Sequence, residues 1–284
     1  MNDIPFCGKD VHQADYKSAK IIVLPVPYDE TATWQKGAEL GPKAILEASA
    51  HVELYDIETC IEVHYLGIHT LQIPYLPKSP EKLTQFIRKN FSSLIKDEKF
   101  PVMLGGNHSI TPGAVQGIKE YISNLSVLQL DAHADLRESY NGSPLNHACV
   151  MARVKEICPA VQVGIRSLGR EEYEKLDKSR IFFAKDIIFE DHWVEDAVEL
   201  LSSNVYVTID LDVFDPSIMP STGTPEPGGL GWDQIIGLLK QVAKKRHIVG
   251  FDVVELMPNK YNKSPDFIAA KLVYQFLSYI FKNR

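Results

Sequence analysis

The chain has 284 residues, of which 45% are apolar and 24% charged, and a formal net charge of −7. That composition fits an ordinary globular protein with room for one large α/β domain or two small ones, and the acidic balance gives no electrostatic footprint for nucleic acid or an anionic membrane. The four cysteines, Cys7, Cys60, Cys149 and Cys158, show no CxxC or zinc-finger spacing and read as reduced. The opening MNDIPFCGKD lacks a basic region followed by an apolar stretch, and no apolar run nears ~20 residues, so a cytosolic protein is expected.

In chain order, Lys20 to Val26 reads as the first buried strand, and the polar stretch from Pro27 to Ser49 turns helical near Pro42, since proline suits a helix's first turn. His64 to His69 reads as a strand. An amphipathic helix follows from Glu81 to Lys96, with Phe86, Ile87, Phe91, Leu94 and Ile95 at helical spacing. Pro101 to Leu104 is a third strand that runs into GGNHSITPGAV, where a glycine pair marks a tight turn or a close backbone approach. Ser126 to Leu130 is the next strand, and a helix is expected from near Asn146.

Further strands fit Val161 to Ile165, Ile181 to Ala184, Val205 to Ile209 and His247 to Val253. Helical segments fit Glu171 to Leu176, Trp193 to Leu201, Trp232 to Ala243 and Pro265 to Phe281. The last of these is apolar all round, as expected for a helix buried in the core or at a subunit contact. About eight short strands alternating with helices imply a mainly parallel sheet with helices on both faces, whose ligands bind beyond the carboxyl ends of the strands. No repeat, low-complexity tract or linker suggests a boundary, so residues 1–284 are expected to form a single domain.

Polar clusters sit at those carboxyl ends. SVLQL is followed by Asp131, His133 and Asp135, and VYVTI by Asp210 and Asp212. Side chains two apart on an extended chain project to the same side, so each cluster aims its ligands into one cavity. An isolated pattern of this kind often serves turns and caps, but two strand ends carrying the same spacing point to a shared site. At ~4 Å and an effective dielectric of ~20, each pair of like charges there costs roughly 4 kcal/mol, so the cluster needs cations. With His108 after PVML, the set is His108, Asp131, His133, Asp135, Asp210 and Asp212: two imidazoles, four carboxylates and no thiolate. That donor set favours a hard divalent ion, manganese above all, and four negative charges match two such ions.

The segments GGNHS, DAHADLR, NHACVMARV, TIDLDVFDPSIMPSTGTPEPGG and GFDVVEL, in this order, resemble the ureohydrolase family of arginases and agmatinases. PYDETATWQKGAELGPKAILEAS resembles that family's N-terminal substrate-loop segment, so the resemblance covers nearly the whole chain. It implies a three-layer α/β/α fold with a parallel eight-stranded sheet, a binuclear Mn2+ centre and hydrolysis of a guanidino group to urea. The six ligands would divide over the two ions as terminal and bridging groups. Asp215, ahead of Pro216, is expected to stabilise its loop and not to ligate.

The resemblance further implies that His147 passes a proton near the reacting group and that Glu255 faces the substrate guanidinium, for which a carboxylate is a matching partner. A hydroxide bridging the metals would attack the guanidinium carbon, and Asp135 and His147 would route a proton to the leaving amine. One departure is Asn107, where many relatives carry Asp, and altered metal affinity is expected from it.

The loop RESYNGSPLNHACV and the stretch DETATWQKG resemble the agmatinase form, which favours agmatine, giving putrescine and urea in polyamine synthesis. Glu138, beside Arg137, is a candidate to attract the amine tail, although both residue types in such a loop are more often solvated charges. Arginine, guanidinobutyrate or an aminopropyl derivative of agmatine are the other substrates, and an inactive metal-binding regulatory partner is the reading from another class. The family's trimers and hexamers imply a homo-oligomer.

Overall fold

The structure, a computed structural model, describes residues 4–11 and 14–282. Residues 1–3, 12, 13, 283 and 284, which belong to the expected domain span and in part to the opening segment read above, lie outside the described residues. Eight strands form one sheet: β1 (Ile21–Val26), β2 (Ile68–Thr70), β3 (Phe100–Gly105), β4 (Leu125–Leu130), β5 (Ala160–Ile165), β6 (Ile181–Phe183), β7 (Asn204–Asp210) and β8 (His247–Val254). Their order across the sheet is β2-β1-β3-β8-β7-β4-β5-β6, and every pairing is parallel.

The apolar runs are continuous because both faces of the sheet are covered. Along β7, Val205, Val207 and Ile209 enter one core while Tyr206 enters the other, as the two-residue period of a strand requires. The first core is closed by helices α1 (Gly41–Ser49), α7 (Trp193–Glu199), α8 (Trp232–Lys245) and α9 (Ser264–Phe281), and the second by α2 (Pro80–Lys96), α3 (Thr111–Lys119) and α4 (Val150–Lys155). The result is the three-layer α/β/α arrangement. From Ala269 onward most of α9 is buried against α1 and α8, so the apolar C-terminal helix belongs to the core. Each large aliphatic or aromatic side chain buried there contributes roughly 1.5–3 kcal/mol.

Several boundaries differ from the sequence expectation. The expected strand His64–His69 is a 3-10 turn over Val63–Leu66, then Gly67 at φ 77°, then β2. The helix expected from Asn146 starts as a 3-10 turn, His147–Cys149, which Asn146 caps by accepting from the Ala148 N–H, and becomes α4 at Val150. Helix α5 covers Arg170–Glu174, shorter than expected, and Ala184 opens a short helix α6 (Ala184–Ile187) instead of ending β6.

Helix α3, in a stretch read only as a turn, carries Gly113 and Gly117. A Cβ on either would meet α2 backbone oxygens, Thr84 O at 2.7 Å and Arg88 O at 2.5 Å, so the two glycines allow the helices to pack closely. The glycine pair at the end of β3 does serve a close approach: a Cβ on Gly106 would lie 2.3 Å from Tyr28 O. The four cysteines are free, and among the described residues no helix is long and apolar enough to cross a membrane.

Candidate metal centre

The strand order explains how residues far apart in sequence meet. β3, β8, β7 and β4 are consecutive in the sheet, and their carboxyl ends deliver His108, Glu255, Asp210 with Asp212, and Asp131 with His133 and Asp135. His108 Nδ1 lies 3.1 Å from Asp131 Oδ2, 3.2 Å from Asp135 Oδ2 and 3.3 Å from Asp210 Oδ2. His133 Nδ1 lies 2.9 Å from Asp212 Oδ2 and 3.6 Å from Asp131 Oδ1. Two groups able to hold a metal result, His108 with Asp131 and Asp135, and Asp131 with His133 and Asp212. Asp131 belongs to both, so five of the six residues expected as ligands gather around one shared carboxylate, and Asp210 joins them through its approach to His108.

The donor set fits two cations. His108 Nδ1 is buried with no hydrogen-bond partner although three carboxylate oxygens surround it, which is the environment of a ligand lone pair aimed at an ion. Its other nitrogen, Nε2, lies 2.9 Å from Thr208 Oγ1 and fixes the tautomer. The Thr208 hydroxyl in turn donates to Asp252, a fully buried carboxylate that also accepts from Tyr206 at 2.7 Å and Thr111 at 2.9 Å. Backbone and amide donors hold the carboxylates. The Ala132 N–H donates to Asp212 at 3.0 Å, the Asp212 N–H to Asp210 at 3.0 Å, the His133 N–H to Asp131 at 2.6 Å and the Gln129 amide to Asp131 at 2.7 Å.

Protons stand in for cations when the site is bare. Burial, and then the charge of Asp131, pushes Asp135 up to about 7, and burial with Asp212 and Asp131 raises Asp210 well above the carboxylate range. Burial opposes a charge on His133, but Asp212 and Asp131 outweigh it and push the ring up to about 12. His108 is likewise raised by Asp131, Asp135 and Asp210 against its own burial. Asp135 and Glu255 are also two of the six non-glycine residues with left-handed backbone among the described residues, φ 52° and 65°, a sparsely populated conformation for a residue with a Cβ.

Glu255 is half-buried beside the cluster. Its Oε1 accepts from the His108 N–H at 2.7 Å, and burial pushes it up to about 8. His147 sits under the N-terminal loop, with Nδ1 2.9 Å from Thr31 O and Nε2 3.4 Å from Thr33 Oγ1, and burial lowers it to about 4. Asn107 caps the turn that carries His108. Its side-chain oxygen accepts from the Ser109 N–H and the Thr31 hydroxyl, joining the loop to the site without a charge.

Asp215 stabilises its loop as expected, accepting from Ser217, Gly228 and Gly229. Glu138 has the surroundings of a solvated loop charge. It is 67% exposed and already paired with Arg153 at 2.9 Å. Arg137 packs over the Tyr140 ring and faces Glu172 at 3.5 Å. Thr208, Asp252, Gln129 and Glu226 also belong to the site, and sequence reasoning does not find them. The first three are single polar residues inside apolar strands, and that interruption is their only signal. A cavity of about 270 Å3 above the centre is lined by His133, Asp135, Arg137, Tyr140, His147 and Thr224, among others.

Residues 19–278 match the arginase family. The chain belongs to that family. Among its relatives, it is 36% identical to an N(1)-aminopropylagmatine ureohydrolase of Synechocystis sp., over 93% of this chain and 90% of that protein. It is 38% identical to an agmatinase of Pyrococcus horikoshii, over 92% of each. The agmatine ureohydrolase of Thermoplasma volcanium has a similar structure, with TM-score 0.87 and 33% identity, covering 95% of this chain and 92% of that one. The chain is thus an arginase-family ureohydrolase of the agmatinase-like kind, and its eight-stranded parallel sheet is the fold of that family.

Proposed function

We propose that this ureohydrolase cleaves agmatine to putrescine and urea, with two Mn2+ ions held by His108, Asp131, His133, Asp135, Asp210 and Asp212, as a cytosolic step of polyamine synthesis. The observation that carries this reading is the pair of ligand groups sharing Asp131 at four adjacent strand ends. Imidazole with several carboxylates and no thiolate suits manganese better than structural zinc. Two bound divalent ions would supply hydroxide near neutral pH and offset the charge of the tetrahedral species.

The protein's own groups do the rest. The Glu255 carboxylate, oriented by the His108 N–H, holds the guanidinium against the centre. His147 donates through Nδ1–H to Thr31 O, which leaves Nε2 as the nitrogen that exchanges protons. A ring pushed down to about 4 is neutral at pH 7 and, once protonated, surrenders its proton readily to an amine whose pKa lies near ~10. Asp135, which lines the same cavity as His147, is the second group on this route.

The aminopropyl derivative of agmatine is the second reading. Relatives named for that substrate favour it, and so does a cavity of about 440 Å3 that shares Arg137, Gly169 and Glu172 with the one above the metal centre and leaves room for a longer tail. Urea release from agmatine, N(1)-aminopropylagmatine, L-arginine and 4-guanidinobutyrate, with metal-loaded and metal-free protein, tests the proposal. Manganese-dependent release from agmatine supports it. Preference for arginine or guanidinobutyrate overturns the substrate, and no release from any of the four overturns the activity.

A further inference from the structure

Glu226 lies in the segment between β7 and α8, and that segment is firmly held. The Arg166 guanidinium, at the end of β5, donates to the carbonyl oxygens of Glu226 at 2.8 Å, Pro227 at 3.2 Å and Asp212 at 2.6 Å. Those bonds tie the Glu226 backbone to the strand end that bears the Asp210 and Asp212 ligands. The carboxylate itself is oriented by the Ser167 hydroxyl, which donates to Oε1 at 2.9 Å, and Ser167, like His133 and Thr224, lines the cavity over the metal centre. Among the described residues the Glu226 carboxylate has no lysine or arginine ion-pair partner. Its other close ring neighbour is His133, whose Nε2 stands 3.9 Å from Oε1, too far for a hydrogen bond.

The other acidic groups around the mouth are already engaged. Glu172 is buried and accepts from the Leu136 and Gly169 N–H groups while facing Arg137, and Glu138 is paired with Arg153. The Arg137 side of the cavity therefore presents a cation, and beside its Ser167 side, bonded to that hydroxyl, stands the partly exposed Glu226 carboxylate on a fixed backbone. We propose that the Glu226 carboxylate receives the distal ammonium of the guanidino substrate and so selects amine-tailed guanidines over apolar-tailed and carboxylate-tailed ones. The inference rests on the guanidino-hydrolase reading and names the group that recognises the tail.

The test compares agmatine with n-pentylguanidine, in which a methyl replaces the ammonium. Affinity of each for the manganese-loaded wild type, E226Q and E226A is taken from the concentration dependence of urea release where the compound is hydrolysed and from calorimetry where it is not, alongside manganese content. A charge-assisted hydrogen bond is worth enough to change affinity by roughly ten-fold or more, so the agmatine-to-pentylguanidine affinity ratio falls by at least that factor in both variants. An unchanged ratio overturns the proposal. A proportional loss of both affinities together with manganese also overturns it, since it assigns Glu226 to holding His133. If the wild type binds both ligands but releases no urea, the catalytic reading fails, and the affinity ratio still decides the role of Glu226.

Discussion

The His108 ring is held from behind by Thr208, whose hydroxyl oxygen lies 2.9 Å from Nε2 and whose proton goes on to the buried Asp252 carboxylate. Burial raises Asp252, while His108 and the hydroxyls of Thr208, Tyr206 and Thr111 act to keep it ionised. Asp252 is thus a positioning residue that acts on His108 through Thr208. Loss of such an outer partner lowers metal affinity by about 10–100-fold. T208V is expected to show that loss in a manganese titration of the metal-free protein, and T208S, which keeps the hydroxyl, to restore it. Equal affinity in T208V and the wild type would contradict the relay.

Metal loading should release protons. The bare cluster holds them on Asp135 at about 7, Glu255 at about 8 and the raised histidines, so a cation must expel them. Manganese affinity is expected to rise between pH 6 and 8. Calorimetry in two buffers of different protonation enthalpy counts the protons, and zero release at pH 7 would contradict the charge assignment.

The same shifts set the stability of the metal-free protein. Asp135, Glu255 and His133 have folded pKa values above their unfolded ones, so their contribution is fully present below the unfolded values and is lost as pH rises through the folded ones. His147 has the opposite shift, to about 4, and removes stability only as pH falls below its unfolded value of 6.5. Between about pH 6.5 and 8 the raised groups act unopposed, and Tm of the metal-free protein is expected to fall across that window. Manganese should abolish the slope. A metal-free Tm that rises across the window would contradict the reading.

H147N removes the proton-exchanging nitrogen that faces Thr33 while leaving an amide able to reach Thr31 O. A general acid–base group contributes about 10²–10⁴-fold to rate. Turnover of agmatine is expected to fall by that factor with manganese content unchanged. Retention of full kcat would remove His147 from the proton route.

Glu138 makes a contrasting case. An exposed carboxylate already paired with Arg153 has little left to give a substrate, and exposed pairs are worth only about 0–1 kcal/mol. E138Q is expected to leave KM for agmatine within about two-fold. A larger rise would return Glu138 to the tail-binding site.

The cluster of candidate ligands is legible in the sequence because Asp131 with His133 and Asp210 with Asp212 repeat one spacing at two strand ends, a local pattern that needs no tertiary knowledge. The adjacency of β3, β8, β7 and β4 is not, since strand order depends on which helices cover which face. Helix α3 is hidden because Gly113 and Gly117 lower helix propensity, and only the neighbouring α2 backbone explains them. His64–His69 looks like a strand because its apolar residues do not reveal the turn that Gly67 makes at positive φ. Thr208, Asp252 and Glu226 act across the sheet or across loops, where no sequence spacing links them.

The central claim is a two-metal centre built on the carboxylate shared by both ligand groups, and Asp131→Ala tests it most directly. Metal content per chain and urea release are measured together on manganese-reconstituted wild type and variant. Two ions per chain and activity in the wild type, with both lost in the variant, is the result predicted; unchanged manganese stoichiometry and full urea release in D131A would contradict it.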